Sequence, residues 1–207
     1  RMTVLTLVRH GRTPWHDPTR YAGDSDVPLD EVGVAQAAAL AAWAAGRGFT
    51  SLACSDLRRA IDTAGAVAAA TGLTPAVDPR LREPHFGLAE GRTLAELRAA
   101  EPELVARFEA DPVAAAWPGA EPPADVADRG VAALRDVAAR DADGDPLVVA
   151  HSTLLRLVLC RLLGVPLSEY RRALPRLDPA TLTEVVMRPD GTTGLLRYNA
   201  PFEGWSA

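Results

Sequence analysis

Apolar residues along this chain follow two rhythms. Runs of five or six residues, "TVLTLV" (3–8), "SLACS" (51–55), "TPAVD" (74–78) and "PLVVA" (146–150), are too short for helices and read as strands. Between them lie longer stretches of helical pattern. "DEVGVAQAAALAAWAAGRG" (30–48) has Asp30 near its start and Gly46 or Gly48 to stop it. "DLRRAIDTAGAVAAATG" (56–72) offers Ser55 or Asp56 as cap and closes on Gly72. "TLAELRAAEPELVARFEA" (93–110) is helical but broken or restarted at Pro102. "ADVADRGVAALRDVAARDADG" (124–144) is amphipathic, and "STLLRLVLCRLLG" (152–164) ends at a glycine. Near the end, "TLTEVVM" and "GLLRYN" flank Asp190-Gly191, which predicts a hairpin.

Alternating strands and helices closed by a hairpin predict an α/β fold. The expected form is a three-layer sandwich with helices on both faces of a mostly parallel central sheet carrying an antiparallel portion. The Pro/Gly-rich stretch around "WPGAEPPAD" (117–125) is too short to separate two cores. The reading is therefore one domain over 1–207, in which residues 86–125 form a variable helical cap segment inserted over the site.

The chain has 207 residues, 48% of them hydrophobic and 24% charged, as a water-exposed globular domain requires. Its net charge of −5 supplies no global attraction to nucleic acid or to an anionic membrane. All 22 basic residues are arginine, which excludes lysine Schiff-base chemistry and a P-loop lysine. Cys54 and Cys160, the two cysteines, make neither a disulfide framework nor a zinc cluster and read as core residues. The apolar run at 4–8 is too short for a signal peptide, and His151, Arg156 and Arg161 interrupt the one at 147–165, so a cytoplasmic location is the default expectation. Arg1 ahead of Met2 is expected to be a remnant added to the natural start.

Ligands of open α/β sheets bind beyond the carboxyl ends of the strands. Arg9 and His10 follow the first strand, Arg58 and Arg59 open the helix after the second, and His151 follows "PLVVA". Glu83 and His85 lie in the irregular "LREPHFGLAEG" (81–91). All four histidines, 10, 16, 85 and 151, thus fall in candidate site segments. Arginines beside histidines at helix starts suit a phosphate, whose oxygens guanidinium groups grip in pairs. A neutral imidazole is a competent nucleophile near pH 7, and a nearby carboxylic acid can protonate a leaving oxygen. Singly, each feature has a bland reading: Arg-His-Gly is a common accident, Glu83 a surface carboxylate, His151 a cap. Their convergence at strand ends carries the inference.

Taken in order, these segments resemble the histidine phosphatase superfamily, the phosphoglycerate mutase-like family. "LVRHGRTPWH" is similar to its opening strand and Arg-His-Gly motif, with Arg12 at a variable place and His16 where asparagine is usual. Gly23, "VPLDEVG" and "GVAQA" come next; "SDLRRAIDTA" follows and marks Arg59 rather than Arg58. "LREPHFGLAEG", "PGAEP" and "LVVAHSTLLRLVL" complete the series, with Ser152 in place of the usual glycine after the second histidine.

The resemblance implies a phosphohistidine mechanism without a metal or other cofactor. His10 would attack phosphorus, while Arg9, Arg59 and His151 hold the oxygens. His16 would donate one hydrogen bond as asparagine would; Ser152 would cap its helix and offer an N–H or hydroxyl. Glu83 would protonate the leaving group and then help activate water. In holding an oxygen, His151 is expected to be at least partly protonated, its pKa raised by the neighbouring phosphate, and His85 is expected to be structural. The expected reaction is hydrolysis of a small phosphorylated metabolite, with no nucleic-acid or membrane partner; a homodimer is among the oligomeric states the family shows. The alternatives are a phosphoglycerate-type mutase and a noncatalytic phosphate-binding module. A carboxylate-gripping mutase insertion is missing from the sequence, which offers only Arg92, Arg98 and Arg107 between Gly91 and Trp117.

Overall fold

Strand β4 (Pro146–Ala150) is buried at every position, and the molecule is built around it. Its neighbours are β1 (Thr3–Arg9) and β2 (Ser51–Cys54), both parallel to it. β3 (Pro75–Val77) extends the parallel portion beyond β2. On the other side β5 (Leu182–Met187) pairs antiparallel with β1, and β6 (Thr193–Ala200) with β5. The six-stranded order is β3-β2-β4-β1-β5-β6. The computed structural model describes residues 2–207, so the expectation about Arg1 lies outside the described residues.

Side chains of a strand alternate between faces, and β4 shows why helices cover both. Leu147 and Val149 join a core with Leu40 and Ala44 of α1 (Glu31–Ala45) and Ala60, Ala64 and Val67 of α2 (Arg58–Thr71). Val148 and Ala150 join the opposite core, with Leu134 of α5 (Pro123–Arg140) and Leu154, Leu155 and Val158 of α6 (Ser152–Leu163). Complete burial of a leucine or valine contributes roughly 1.5–3 kcal/mol, so these layers hold the ends of β1, β2 and β4 in register. The expected three-layer sandwich with a mixed sheet is the fold observed.

Local signals set most boundaries. Asp30 caps α1 by accepting the Gly33 N–H at 2.8 Å. Gly72 and Gly164 end α2 and α6 in the left-handed conformation, with φ of 75° and 72°. Pro102 restarts the chain as expected, separating α3 (Leu94–Ala100) from α4 (Pro102–Ala110). Two expectations need correction. The cap position of α2 is Leu57, which makes no side-chain cap. Ser55 is drawn instead to His151, and Asp56 to Arg82 at 2.7 Å. Similarly, His151 holds the cap position of α6, and Ser152 is its first helical residue.

Between β3 and α5, Phe86, Ala89, Leu97, Val105, Phe108 and Trp117 form a third cluster, separate from the two sheet cores. Phe108 and Trp117 stack at 4.2 Å. After α6, the short α7 (Tyr170–Ala173) lays Arg171 over the Phe108 ring at 5.0 Å. Among the described residues, no helix is long and apolar enough to cross a membrane.

Candidate active site

Three parallel strands deliver the central residues. His10 follows β1, and its N–H bonds to Ala150 O at 3.0 Å, which ties it to the end of β4. His151 follows β4 directly. Ser55 follows β2, and its N–H bonds to Val149 O at 3.0 Å. The rings of His10 and His151 lie 5.0 Å apart between centroids, and those of His10 and His16 5.9 Å. A cavity of about 130 Å³ opens on His10 and His16, lined also by Arg9, Glu83, Ser152, Trp15, Arg20, Tyr21 and Phe86.

Each imidazole is oriented by a neighbour. The Nδ1–H of His10 donates to Gly11 O at 2.7 Å, because a carbonyl can only accept. That leaves Nε2 of His10 as a bare lone pair, met only by a long 3.2 Å bond from Arg59 Nε. Burial, reinforced by Arg59 and His151, pushes the His10 pKa well below the ordinary 6.5, so the lone pair is available at neutral pH. His16 Nδ1 lies 3.1 Å from the Thr13 N–H and 3.0 Å from Thr13 Oγ1, and its Nε2 lies 2.7 Å from Arg9 Nη2, so the ring is held between Thr13 and Arg9. Burial and Arg9 push the His16 pKa down to about 3, so the ring is neutral.

The arginines are held rigidly. Arg59 is fully buried and gives its two terminal nitrogens to Ser25 O, Gly23 O and Ala22 O, at 2.8, 2.6 and 3.2 Å. Its neighbour Arg58 points outward to Asp62. Arg9 donates to Leu177 O at 2.6 Å, and burial lowers its pKa to about 10, still charged at pH 7. Its Nε and the Nδ1 of His151 are buried polar atoms without a partner. Such orphans are costly unless a ligand satisfies them. Arg9 and His151 thus each keep one buried nitrogen unengaged, while Arg59 is fully committed to His10 and to the carbonyls of residues 22, 23 and 25.

Glu83 sits at the start of α6 and is 6% exposed. Its carboxylate accepts the N–H groups of Thr153 and Leu154 at 3.0 and 2.7 Å. Burial nevertheless dominates and raises its pKa, which favours the protonated form that an acid needs.

The structure therefore brings Arg9, His10, His16, Arg59, Glu83, His151 and Ser152 to one place. His85 lies elsewhere, exposed and 2.8 Å from Asp24. Burial together with Arg59, Arg9, Arg129 and Arg82 drives the His151 pKa well below 6.5, so the ring is neutral in the unliganded protein; the protonation expected of it belongs to the phosphate-bound state. Several residues escaped sequence reasoning. Thr13 orients His16, Thr63 Oγ1 accepts the Gly11 N–H at 3.0 Å, and Trp15 and Tyr21 line the cavity. Trp15 and Tyr21 carried the only available signal, being aromatic residues just past the Arg-His-Gly triplet.

Comparison with known proteins identifies similar sequences and folds. The sequence profile of the histidine phosphatase superfamily (branch 1) matches residues 5–200. A probable phosphoglycerate mutase GpmB of Yersinia pestis (strain Pestoides F) is 36% identical over 184 residues, covering 89% of this chain and 85% of that protein. Among solved structures, a mycobacterial glucosyl-3-phosphoglycerate phosphatase superposes with a TM-score of 0.87 at 31% identity, covering 97% of this chain and 100% of that one. YhfR of Bacillus stearothermophilus superposes with a TM-score of 0.89 at 27% identity, covering 98% and 100%.

Proposed function

Since the chain belongs to the histidine phosphatase superfamily, we propose that it hydrolyses a small phosphomonoester through a phosphohistidine on His10, without a metal. The observation that carries this reading is the lone pair on His10 Nε2, in a cavity lined also by the cation Arg9, by His16 and by the protonatable carboxyl of Glu83.

In the first step the His10 Nε2 lone pair attacks phosphorus and the P–O bond to the leaving group breaks. Glu83 gives its proton to the departing alkoxide. Arg9, Arg59, His16, His151 and Ser152 hold the phosphoryl oxygens, where stabilising spread charge is the main task. In the second step Glu83, now a carboxylate, takes a proton from water. The water oxygen bonds to phosphorus, the N–P bond breaks, and phosphate leaves with His10 restored. The raised pKa of Glu83 and the lowered pKa of His10 suit these two opposite roles.

Mutase activity is the second reading, favoured by the name of the Yersinia relative. Hydrolysis is preferred because Arg92, Arg98 and Arg107 are all exposed and none lines the cavity, so that segment brings no cation to a substrate carboxylate. A panel of phosphomonoesters, including 3-phosphoglycerate with and without bisphosphoglycerate, separates the two by free phosphate against isomerised product. His10→Ala is expected to abolish both turnover and acid-labile phosphoenzyme. Activity surviving that change, or requiring added metal, refutes the mechanism.

A further inference from the structure

Ser55 and His151 are both completely buried, at the ends of β2 and β4. Ser55 Oγ lies 2.8 Å from His151 Nε2 and accepts the Leu57 N–H at 3.2 Å. The Ser55 backbone is fixed by its bond to Val149 O, so this hydroxyl sits on the sheet itself. The opposite ring nitrogen, Nδ1, has no partner.

The proton on the ring has three possible arrangements. An Nε2–H tautomer would donate to Ser55 Oγ. It would leave a bare lone pair on Nδ1 beside the phosphate position, and it would strip the serine hydroxyl of its acceptor, since no other is within hydrogen-bond reach among the described residues. A doubly protonated ring would add a positive charge to a site where Arg9 of β1, Arg59 of α2, Arg82 and Arg129 of α5 already act on His151. Glu83, of the loop that follows β3, opposes Arg9 and Arg59, while Arg82 and Arg129 are paired with Asp56 and Glu121. The third arrangement uses every group: the serine oxygen accepts from Leu57, its hydrogen goes to Nε2, and Nδ1–H is left for a ligand.

We propose that Ser55 is a positioning residue whose hydroxyl donates to His151 Nε2 and so fixes the neutral tautomer that presents Nδ1–H to a phosphoryl oxygen. Resting on the phosphohistidine reading above, it deepens that reading. With the His10 Nε2 lone pair as nucleophile, the anchors of the two rings sort them into one imidazole that attacks and one that donates. His151 then stabilises the transferring group by a preorganised dipole rather than by a charge.

The first test is nitrogen-15 NMR of the ring in the wild-type chain at pH 7. Assignment is tractable because the protein has four histidines. The expected result is a protonated Nδ1 and a bare Nε2 for His151. An Nε2–H tautomer or a doubly protonated ring overturns the proposal. The second test is Ser55→Ala assayed on 4-nitrophenyl phosphate. Its kcat is expected to fall roughly tenfold to a hundredfold, short of the ~10⁴ lost when a serine protease histidine takes the wrong tautomer, because part of the population keeps the working one. The His151 signals of that variant should no longer report a single tautomer. A kcat equal to wild type with the ring signals unchanged overturns the proposal. If Ser55→Ala fails to fold, the wild-type spectrum decides. If the wild-type chain hydrolyses nothing, the catalytic reading fails while the spectrum still confirms or refutes the hydrogen bond.

Discussion

Gly33→Ala is expected to damage catalysis from outside the cavity. Gly33 lies in the first turn of α1, directly under the loop that follows His10. A Cβ there would stand 2.0 Å from Arg12 O and 2.8 Å from Arg12 N, whereas real Cβ atoms essentially never come under 3.0 Å. The two segments must therefore part by about 1 Å. Neither has slack, since Asp30 N–H bonds to Arg12 O, Arg12 N–H to Gln36 Oε1, and Arg12 Nε to Asp30 Oδ2. Overpacking of this kind costs about 1–3 kcal/mol, offset by the ~0.5–1 kcal/mol that alanine gains over glycine inside a helix. Displacing a nucleophile by about 1 Å lowers the rate roughly a hundredfold. The assay pairs kcat on 4-nitrophenyl phosphate with thermal unfolding. Gly65→Ala in α2 is the control, since nothing lies within 4 Å of its Cβ. That control should gain about 0.5–1 kcal/mol of stability with kcat unchanged. Gly33→Ala with wild-type Tm and kcat within about threefold of wild type refutes the reasoning.

Further outcomes follow from the same geometry. Glu83→Gln should slow alkyl phosphates by about 10²–10⁴ and aryl phosphates much less, because aryl leaving groups need little protonation; equal losses would remove Glu83 as the acid. His16→Phe deletes a donor to a charged oxygen, a bond of roughly 1.5–3 kcal/mol, so kcat/KM should fall about tenfold or more, while His16→Asn should retain most activity; parity between the two variants argues against His16 as a donor. Because the His10 pKa lies well below 6.5, kcat/KM should hold as pH falls through 6.5 and drop only well below it; a drop centred at 6.5 contradicts the burial argument. His85 has its pKa raised by Asp24, so their pairing stabilises the fold below pH 6.5 and is lost as pH rises through the raised value. Both partners are over 40% exposed, so Asp24→Asn should lower Tm only slightly near pH 6, and not at pH 9.

The strands and most helix ends were legible because they depend on residues close in sequence: Asp30 before α1, Gly72 and Gly164 after α2 and α6, Pro102 between α3 and α4. The two misplaced caps show the limit. Ser55 and Asp56 have the right chemistry for a helix start, but residues 96 and 26 positions away compete for them and win. The site's membership could be read from motif order, which needs no distances. Its protonation states could not, since they depend on burial and on four arginines gathered from separate elements. Residues such as Thr13 and Thr63, which orient histidines or their loop through single hydrogen bonds, leave no periodic trace.

The aromatic cluster of Phe86, Phe108 and Trp117 shares no residue with either core flanking the sheet, yet Phe86 also reaches the His10 cavity. Substitution inside that cluster can reshape the cavity lining at Phe86 while β1, β2 and β4 keep their register. The cavity's outline and the strand ends that carry His10 and His151 therefore rest on separate packing and can change independently.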